Sequence, residues 1–279
     1  MTASPDSMIV CQVSDMHLMT GGKLAYGVVD TAAHFRRCIA HIQALPQQPD
    51  VVVMTGDLVD SGKPEQYALL REIIAPLSMP VYLIPGNHDD REALRAAFPD
   101  HAYLNQFPPF IQYAIEEHEL RIVAIDTVIP GQDCGELCAQ RLEWLALTLA
   151  TAPQRPTLLL MHHPPFATGI GFMDEIGLAN PEALAQVVAK HAQIERILCG
   201  HLHRPIQARF AGTLACTAPS TAHQITLDLA RDAPETFTME PPAYFVHAWN
   251  AQSGVVTHTA YIGDFPGPFP FEMGSAAAK

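Results

Sequence analysis

The chain has 279 residues, 48% of them hydrophobic and 16% charged, a globular mixture that excludes a disordered or fibrous protein. Its 16 Lys and Arg against 29 Asp and Glu leave a formal charge of −13, which repels polyanions and disfavours binding along a nucleic-acid polymer. Fourteen histidines are many for this length and, beside the surplus of carboxylates, they raise the question of bound cations.

The opening MTASPDSMIVCQVSD has no basic region followed by an apolar stretch, so no secretory signal is expected. No apolar run approaches the ~18–20 residues of a membrane-spanning helix. In chain order, periodicity predicts a strand at Met8–Ser14, a helix near Thr31–Ala44, a strand at Val51–Thr55, a helix near Pro64–Ala75 and a strand at Val81–Ile84. Phe110–Glu116 and Arg121–Asp126, separated by a few polar residues, predict a hairpin. A helix near Arg141–Ala150, a strand at Thr157–Met161, a helix near Pro181–His191 and a strand at Arg196–Cys199 follow. Short strands are expected at Arg209–Thr217, Ile225–Leu229, Tyr244–Trp249 and Val255–Tyr261. For Tyr244–Trp249 a core strand is preferred to an intersubunit face. Pro164–Asn180, with Gly169, Gly171 and Gly177, suits a loop over a site, and the Pro-rich Ala233–Ala243 reads as another loop. The segment Asp264–Lys279 reads as a flexible tail. The alternation predicts an α/β fold with buried central strands. Six cysteines without a C-x2-C pair read as reduced thiols of a cytoplasmic chain, with a pairing of Cys134 and Cys138 left open.

Five motifs stand where predicted strands end: Asp15-Met16-His17, Gly56-Asp57, Gly86-Asn87-His88-Asp89, His162-His163 and Gly200-His201-Leu202-His203. In an open α/β sheet the loops beyond the carboxyl ends of strands converge on one edge, where ligands bind. Asp, Asn and His gathered there suit divalent Zn, Mn, Fe or Co. Asp15 and His17, like His201 and His203, stand at i, i+2, which on extended chain points both side chains the same way. Asp15, His17, Asp57, Asn87, His162, His201 and His203 are therefore candidate ligands, enough for two ions when one carboxylate bridges them. Such a pair leaves room for water and a substrate. Singly, each motif is an ordinary turn or strand end. Their joint occurrence, each at a strand terminus, is what carries weight.

The series D-x-H, GD, GNHD, H-H and GH-x-H resembles the calcineurin-like metallophosphoesterase superfamily, and within it the bacterial class III cyclic nucleotide phosphodiesterases and glycerophosphodiesterases. The likeness runs from about Met8 to Gln224 and includes LIPGNHDD, MHHPP and SGKPEQY. It implies a β-sandwich of two mixed sheets flanked by helices, with a catalytic domain over 1–230, a small C-terminal cap or sheet extension over 231–263 and the tail beyond. It also implies that Asp15, His17 and His203 bind one metal, that Asn87, His162 and His201 bind the second, and that Asp57 bridges both. His88 then contacts the phosphate and assists the leaving oxygen, His163 orients its neighbours, and His223 lies near the substrate together with Asn87. Relatives of this kind imply a homo-oligomer.

The resemblance to protein phosphatases is weaker, because Ser61 stands where their GD-x-x-D-R-G motif has Arg and Asp89 where they have Glu. No Arg or Lys lies in the five motifs, which suits a singly charged diester better than a monoester. A 3′,5′-cyclic nucleotide such as cAMP is the first expectation, glycerophosphodiesters or a broad diesterase range the alternative. A binding module that keeps the fold without chemistry is the reading from another class, and the presence of every candidate ligand argues against it.

Overall fold

In the computed structural model the structure describes residues 7–271; the GSAAAK ending lies outside the described residues. The first half alternates strand and helix: β1 (Ser7–Val13), α1 (Thr31–Gln43), β2 (Val51–Thr55), α2 (Pro64–Ile74), β3 (Val81–Ile84) and α3 (Arg91–Ala97). Then come β4 (Tyr113–Ile115), β5 (Arg121–Ala124), α4 (Ala139–Ala150), β6 (Thr157–Leu160), α5 (Gly171–Glu175), α6 (Pro181–Val188) and β7 (Ile194–Cys199). The chain finishes with β8 (Ile206–Phe210), β9 (Thr213–Thr217), β10 (Gln224–Ile225), β11 (Phe237–Thr238), β12 (Ala243–Asn250) and β13 (Gly254–Tyr261).

Two mixed sheets result. The first has the order β13-β12-β1-β2-β3, and the second β4-β5-β6-β7-β9-β8. In the first, β1, β2 and β3 run parallel while β12 and β13 add on antiparallel. In the second, β5, β6, β7 and β9 run parallel, with β4 and β8 antiparallel at the edges. The expected hairpin of β4 and β5 is formed.

Strand periodicity of two explains how the second sheet serves two cores. Ile122, Ala124, Leu158 and Leu160 join the large cluster that also contains β1, β2, α1 and α2 residues. Val123, Ile125, Leu159 and Met161 point the other way, into a cluster with α4 and α6. Helix α1 starts where the Asp30 carboxylate accepts the Ala33 N–H at 2.9 Å, and it buries Thr31, Phe35, Cys38, Ile39 and Ile42 as one helical stripe. Tyr244–Trp249 is core, with Tyr244 and Phe245 almost wholly buried in β12.

Two expected strands and both expected loops need correction, and one helix is added. Arg209–Thr217 is no single strand: Ala211 and Gly212 take left-handed φ values of 47° and 96° and turn the chain back as the β8–β9 hairpin. Ile225–Leu229 contributes only Gln224–Ile225, and Leu227 and Leu229 are exposed. Helix α3 was not anticipated; the Asp90 side chain starts it by accepting the Ala93 N–H at 2.8 Å. Both expected loops carry short elements, α5 in one and β11 in the other. Among the described residues no helix is long and apolar enough to cross a membrane.

Candidate metal centre

All five motifs follow parallel strands. Asp15-His17, Asp57 and Asn87-His88 come after β1, β2 and β3; His162-His163 and His201-His203 come after β6 and β7. The carboxyl ends of both sheets thus meet, and backbone hydrogen bonds tie the loops together. Asp15 N–H donates to the Gly56 carbonyl at 3.1 Å, His17 N–H to the Asp57 carbonyl at 3.0 Å, and Gly200 N–H to the His162 carbonyl at 3.0 Å.

The local backbone is not the extended chain expected for Asp15/His17 and His201/His203. Their φ values are 55°, 44°, 71° and 51°, and Asp57 has 48°. Left-handed non-glycine residues cost of order 1–3 kcal/mol each and persist only where surrounding contacts over-determine them. Here the loop-to-loop hydrogen bonds do so, and the side chains converge by strain instead of by strand pleat. Close approach adds a second constraint. A Cβ on Gly86 would lie 2.2 Å from Asp57 Oδ1, and one on Gly56 2.3 Å from His162 Nδ1. Gly86→Ala is accordingly expected to lower stability by about 1–3 kcal/mol through overpacking, with weakened metal binding; an unchanged melting temperature together with full metal content would contradict the packing assigned to this turn.

Asp57 sits at the centre of the cluster. Its Oδ2 is 3.4 Å from His17 Nε2 and 3.4 Å from His162 Nε2, while Oδ1 accepts the His88 N–H at 3.0 Å. On one side, His17 Nε2 and His203 Nε2 approach to 3.0 Å, and His203 Nε2 is 3.8 Å from Asp15 Oδ1. On the other, His162 Nε2 is 3.0 Å from Asn87 Oδ1. The His201 ring is 5.2 Å from that of His162, so the seven predicted ligand residues are brought together.

Three of the predicted ligand imidazoles, His162, His201 and His203, are aimed by a second nitrogen, an arrangement common around metal-binding histidines. His162 Nδ1 donates to the Thr55 carbonyl at 2.8 Å, His203 Nδ1 to the His223 carbonyl at 3.1 Å, and His201 Nε2 to the Ile176 carbonyl at 3.1 Å. His163 differs: its Nδ1 lies 2.8 Å from Thr127 Oγ1 and its Nε2 3.0 Å from the Asp133 carbonyl, so both nitrogens are committed to protein. His88 Nδ1 donates to the Asp60 carbonyl at 2.7 Å, which leaves Nε2 towards the cluster. His223 stands beside it, its ring 4.7 Å from that of His203.

The donor set fits divalent cations. Asp15 is fully buried, and its Oδ2 has no hydrogen-bond partner; the same holds for His17 Nδ1. Ring nitrogens and carboxylate oxygens of Asp15, His17 and His203, and of Asp15, Asp57 and His162, lie within 4.8 Å of one another. Burial pushes the Asp15 carboxyl up to about 7, although His162 opposes this. Burial also acts on Asp57, but the His162, His88 and His17 imidazoles outweigh it and hold that carboxyl well below the usual range. Burial pushes His17 and His201 down to about 3. Neutral His17 and His201 and the partnerless Asp15 oxygen offer lone pairs to a cation, whereas His162, which burial lowers but Asp57 and Asp15 raise to about 9, must give up a proton on binding one.

Some contributors were missed in the sequence. Asp89, read only as a motif letter, clamps two loops: its Oδ2 accepts Leu58 N–H at 3.1 Å and Gly86 N–H at 2.9 Å, and Oδ1 accepts the Tyr67 hydroxyl at 2.9 Å. Tyr26 and Phe237 pack at 4.9 Å and flank His223 at 5.3 and 5.2 Å, an aromatic wall beside the cluster that no motif announces.

A two-sheet α/β sandwich with an Asp/Asn/His cluster at its strand ends defines a metal-binding phosphoesterase scaffold. Residues 8–205 match the model of the calcineurin-like phosphoesterase family. The chain is 41% identical over 265 residues to a probable glycerophosphodiester phosphodiesterase, GpdQ, of Arcobacter nitrofigilis, covering 95% of this chain and 97% of that one. It is 35% identical over 260 residues to a probable cyclic nucleotide phosphodiesterase of Rhodopseudomonas palustris, covering 91% and 93%. A crystal structure of a dimetal phosphatase from Danio rerio superposes with a TM-score of 0.65 at 13% identity, over 92% of this chain and 99% of that one, a likeness of fold. This protein belongs to the calcineurin-like phosphoesterase family.

Proposed function

We propose that the chain is a phosphodiesterase that hydrolyses small phosphodiesters with two divalent ions held around Asp57. The observation that carries this reading is the equal 3.4 Å approach of Asp57 Oδ2 to His17 and His162, which supports one carboxylate oxygen shared by two ions. Asp15, His17 and His203 would hold one ion and Asn87, His162 and His201 the other, with Asp57 shared. Fe, Mn, Zn and Co all suit such a donor set, and availability decides among them. When bound, the ions supply Lewis-acid polarisation of the phosphoryl oxygens and a lowered pKa for the attacking water.

The chain's own residues supply orientation and a proton. Burial pulls the His88 pKa down, but Asp57, the Asp60 carbonyl and nearby carboxylates outweigh it and raise it above the ordinary value. A His88 cation, held at Nδ1 by Asp60, presents Nε2–H to the leaving oxygen. As water attacks phosphorus and the P–O bond breaks, that proton neutralises the departing alkoxide, giving an alcohol and a phosphomonoester. His223, Tyr26 and Phe237 would bound the substrate on the open side.

A 3′,5′-cyclic nucleotide remains the first substrate reading, and the likeness to the Rhodopseudomonas palustris protein supports it. The glycerophosphodiester alternative has its own support in the 41% identity to the Arcobacter nitrofigilis protein. Side-by-side kcat/KM values for cAMP, glycerophosphoethanolamine and glycerophosphocholine on the metal-loaded protein decide between them. A cytoplasmic location and a homo-oligomer belong to this proposal as well; the free thiols of all six cysteines support the first. Asn87→Ala should weaken mainly the ion held with His162 and His201, since a neutral amide oxygen is a modest ligand. Unchanged metal affinity with full activity would remove Asn87 from the ligand set.

A further inference from the structure

We infer that His247 and Gln12 are positioning residues, joined in a buried hydrogen-bond row that holds the ends of β2 and β7, and so the metal-binding loops after them, at their spacing. The inference rests on the functional reading above, and it concerns residues outside every motif. His247 lies in β12, beyond the segment that matches the family model.

The row crosses the first sheet. Thr257 on β13 is directly opposite His247 on β12. Val10 on β1 is opposite His247, and Gln12 is two residues further on; Val53 on β2 is opposite Gln12, and Thr55 is two residues further on. A period of two puts Thr257, His247, Gln12 and Thr55 on the same face of the sheet. His247, Gln12 and Thr55 are fully buried. At the outer end Arg196 on β7 donates to the Thr257 hydroxyl and, at 3.0 Å, to the Val255 carbonyl.

Gln12 fixes the direction. Its amide nitrogen donates to the Cys199 carbonyl at 2.9 Å and to Thr55 Oγ1 at 3.0 Å, so its oxygen must accept from His247 Nε2–H at 3.1 Å. His247 Nδ1 then accepts from the Thr257 hydroxyl at 2.8 Å. Thr55 Oγ1 donates to Ser14 Oγ at 2.8 Å, and Ser14 donates back to the Thr55 carbonyl at 3.3 Å. That carbonyl is also the acceptor that aims His162. From the Thr257 hydroxyl to Thr55 every side-chain donor in the row meets an acceptor, with one polarity, so the bonds reinforce one another; the Arg196 Nε–H at the outer end has no partner. Burial and Arg196 push His247 down to about 3, so it is neutral, as the row requires.

A single amide therefore spans the ends of two sheets. The residues that follow Thr55 and Cys199 are Gly56-Asp57 and Gly200-His201. There is no slack between them, since a Cβ on Gly200 would lie 2.2 Å from Ser14 Oγ and 2.7 Å from the Thr55 carbonyl. Without the His247 N–H, Gln12 Oε1 is a buried acceptor with no donor, and the amide loses the contact that fixes its orientation.

His247→Leu removes the donor, whereas His247→Gln retains a donor and an acceptor at similar reach. Cobalt affinity of the full chain, read by absorbance, should fall about 10–100-fold in His247→Leu and stay within about threefold of wild type in His247→Gln, the range for outer partners of metal-binding histidines. The loss should appear in kcat more than in KM. In the metal-free protein, amide hydrogen exchange at Gly56-Asp57 and Gly200-His201 should quicken in His247→Leu and be restored in His247→Gln. Wild-type affinity and exchange in His247→Leu, or equal losses in both variants, would overturn the positioning role. Absence of cobalt uptake by the wild-type chain would remove the functional reading instead, and exchange in the metal-free protein would still decide the row.

Discussion

Replacing Asp57 by alanine is expected to strip metal from both half-sites together and to abolish hydrolysis. The carboxylate is buried, its Oδ2 faces His17 and His162 equally, and its Oδ1 holds the His88 amide. Loss of an outer partner of a metal ligand already costs about 10–100-fold in affinity, so loss of a shared charged ligand should exceed that. Asp57→Asn keeps the shape and the acceptor for His88 while removing the charge. It should melt close to wild type in the metal-free state and still bind metal poorly, which separates ligation from folding. Two tightly bound ions in Asp57→Ala would sink the shared-ligand assignment.

The second large effect is expected at His88, with the leaving group as the probe. The ring is held by the Asp60 carbonyl and packs edge-on against His17 at 4.5 Å, which leaves its Nε2 beside the cluster. General acid catalysis contributes typically ~10²–10⁴-fold, and the benefit is large only when the leaving group is a poor one. His88→Ala should therefore slow cAMP or a glycerophosphodiester heavily and spare a nitrophenyl diester, whose anion departs without a proton. Metal content should stay near wild type. Equal losses on both substrate types would indicate phosphate positioning, and loss of metal would make His88 a ligand.

The strand ends were legible because apolar runs stop abruptly at Asp15, Asp57, Asn87, His162 and His201, and the parallel order then brings them to one edge. The identity of the cluster residues was thus readable from order and spacing. Their backbone was not. Left-handed φ at Asp15, His17, Asp57, His201 and His203 is imposed by bonds between loops far apart in the chain, such as His201 N–H to Asp15 Oδ1 at 2.9 Å, and local propensity opposes it. The same reason hid the Gln12–His247 pair, whose partners are 235 residues apart. The only local sign was a polar residue inside each of two apolar strands, VCQVS and YFVHAWN. Helix α3 was obscured because its start, Asp90, directly follows the GNHD motif. The β8–β9 turn had a visible Gly212, yet Ala211 gave no hint of the left-handed turn it shares.

The most direct test of the two-ion reading is a titration of the metal-free chain with manganese, followed by bound-metal analysis and by hydrolysis of bis-nitrophenyl phosphate in parallel. The account predicts no turnover without metal and a rate that rises to a plateau as the second ion per chain is filled. Turnover by the metal-free protein, or a full rate reached with one ion per chain, would contradict it.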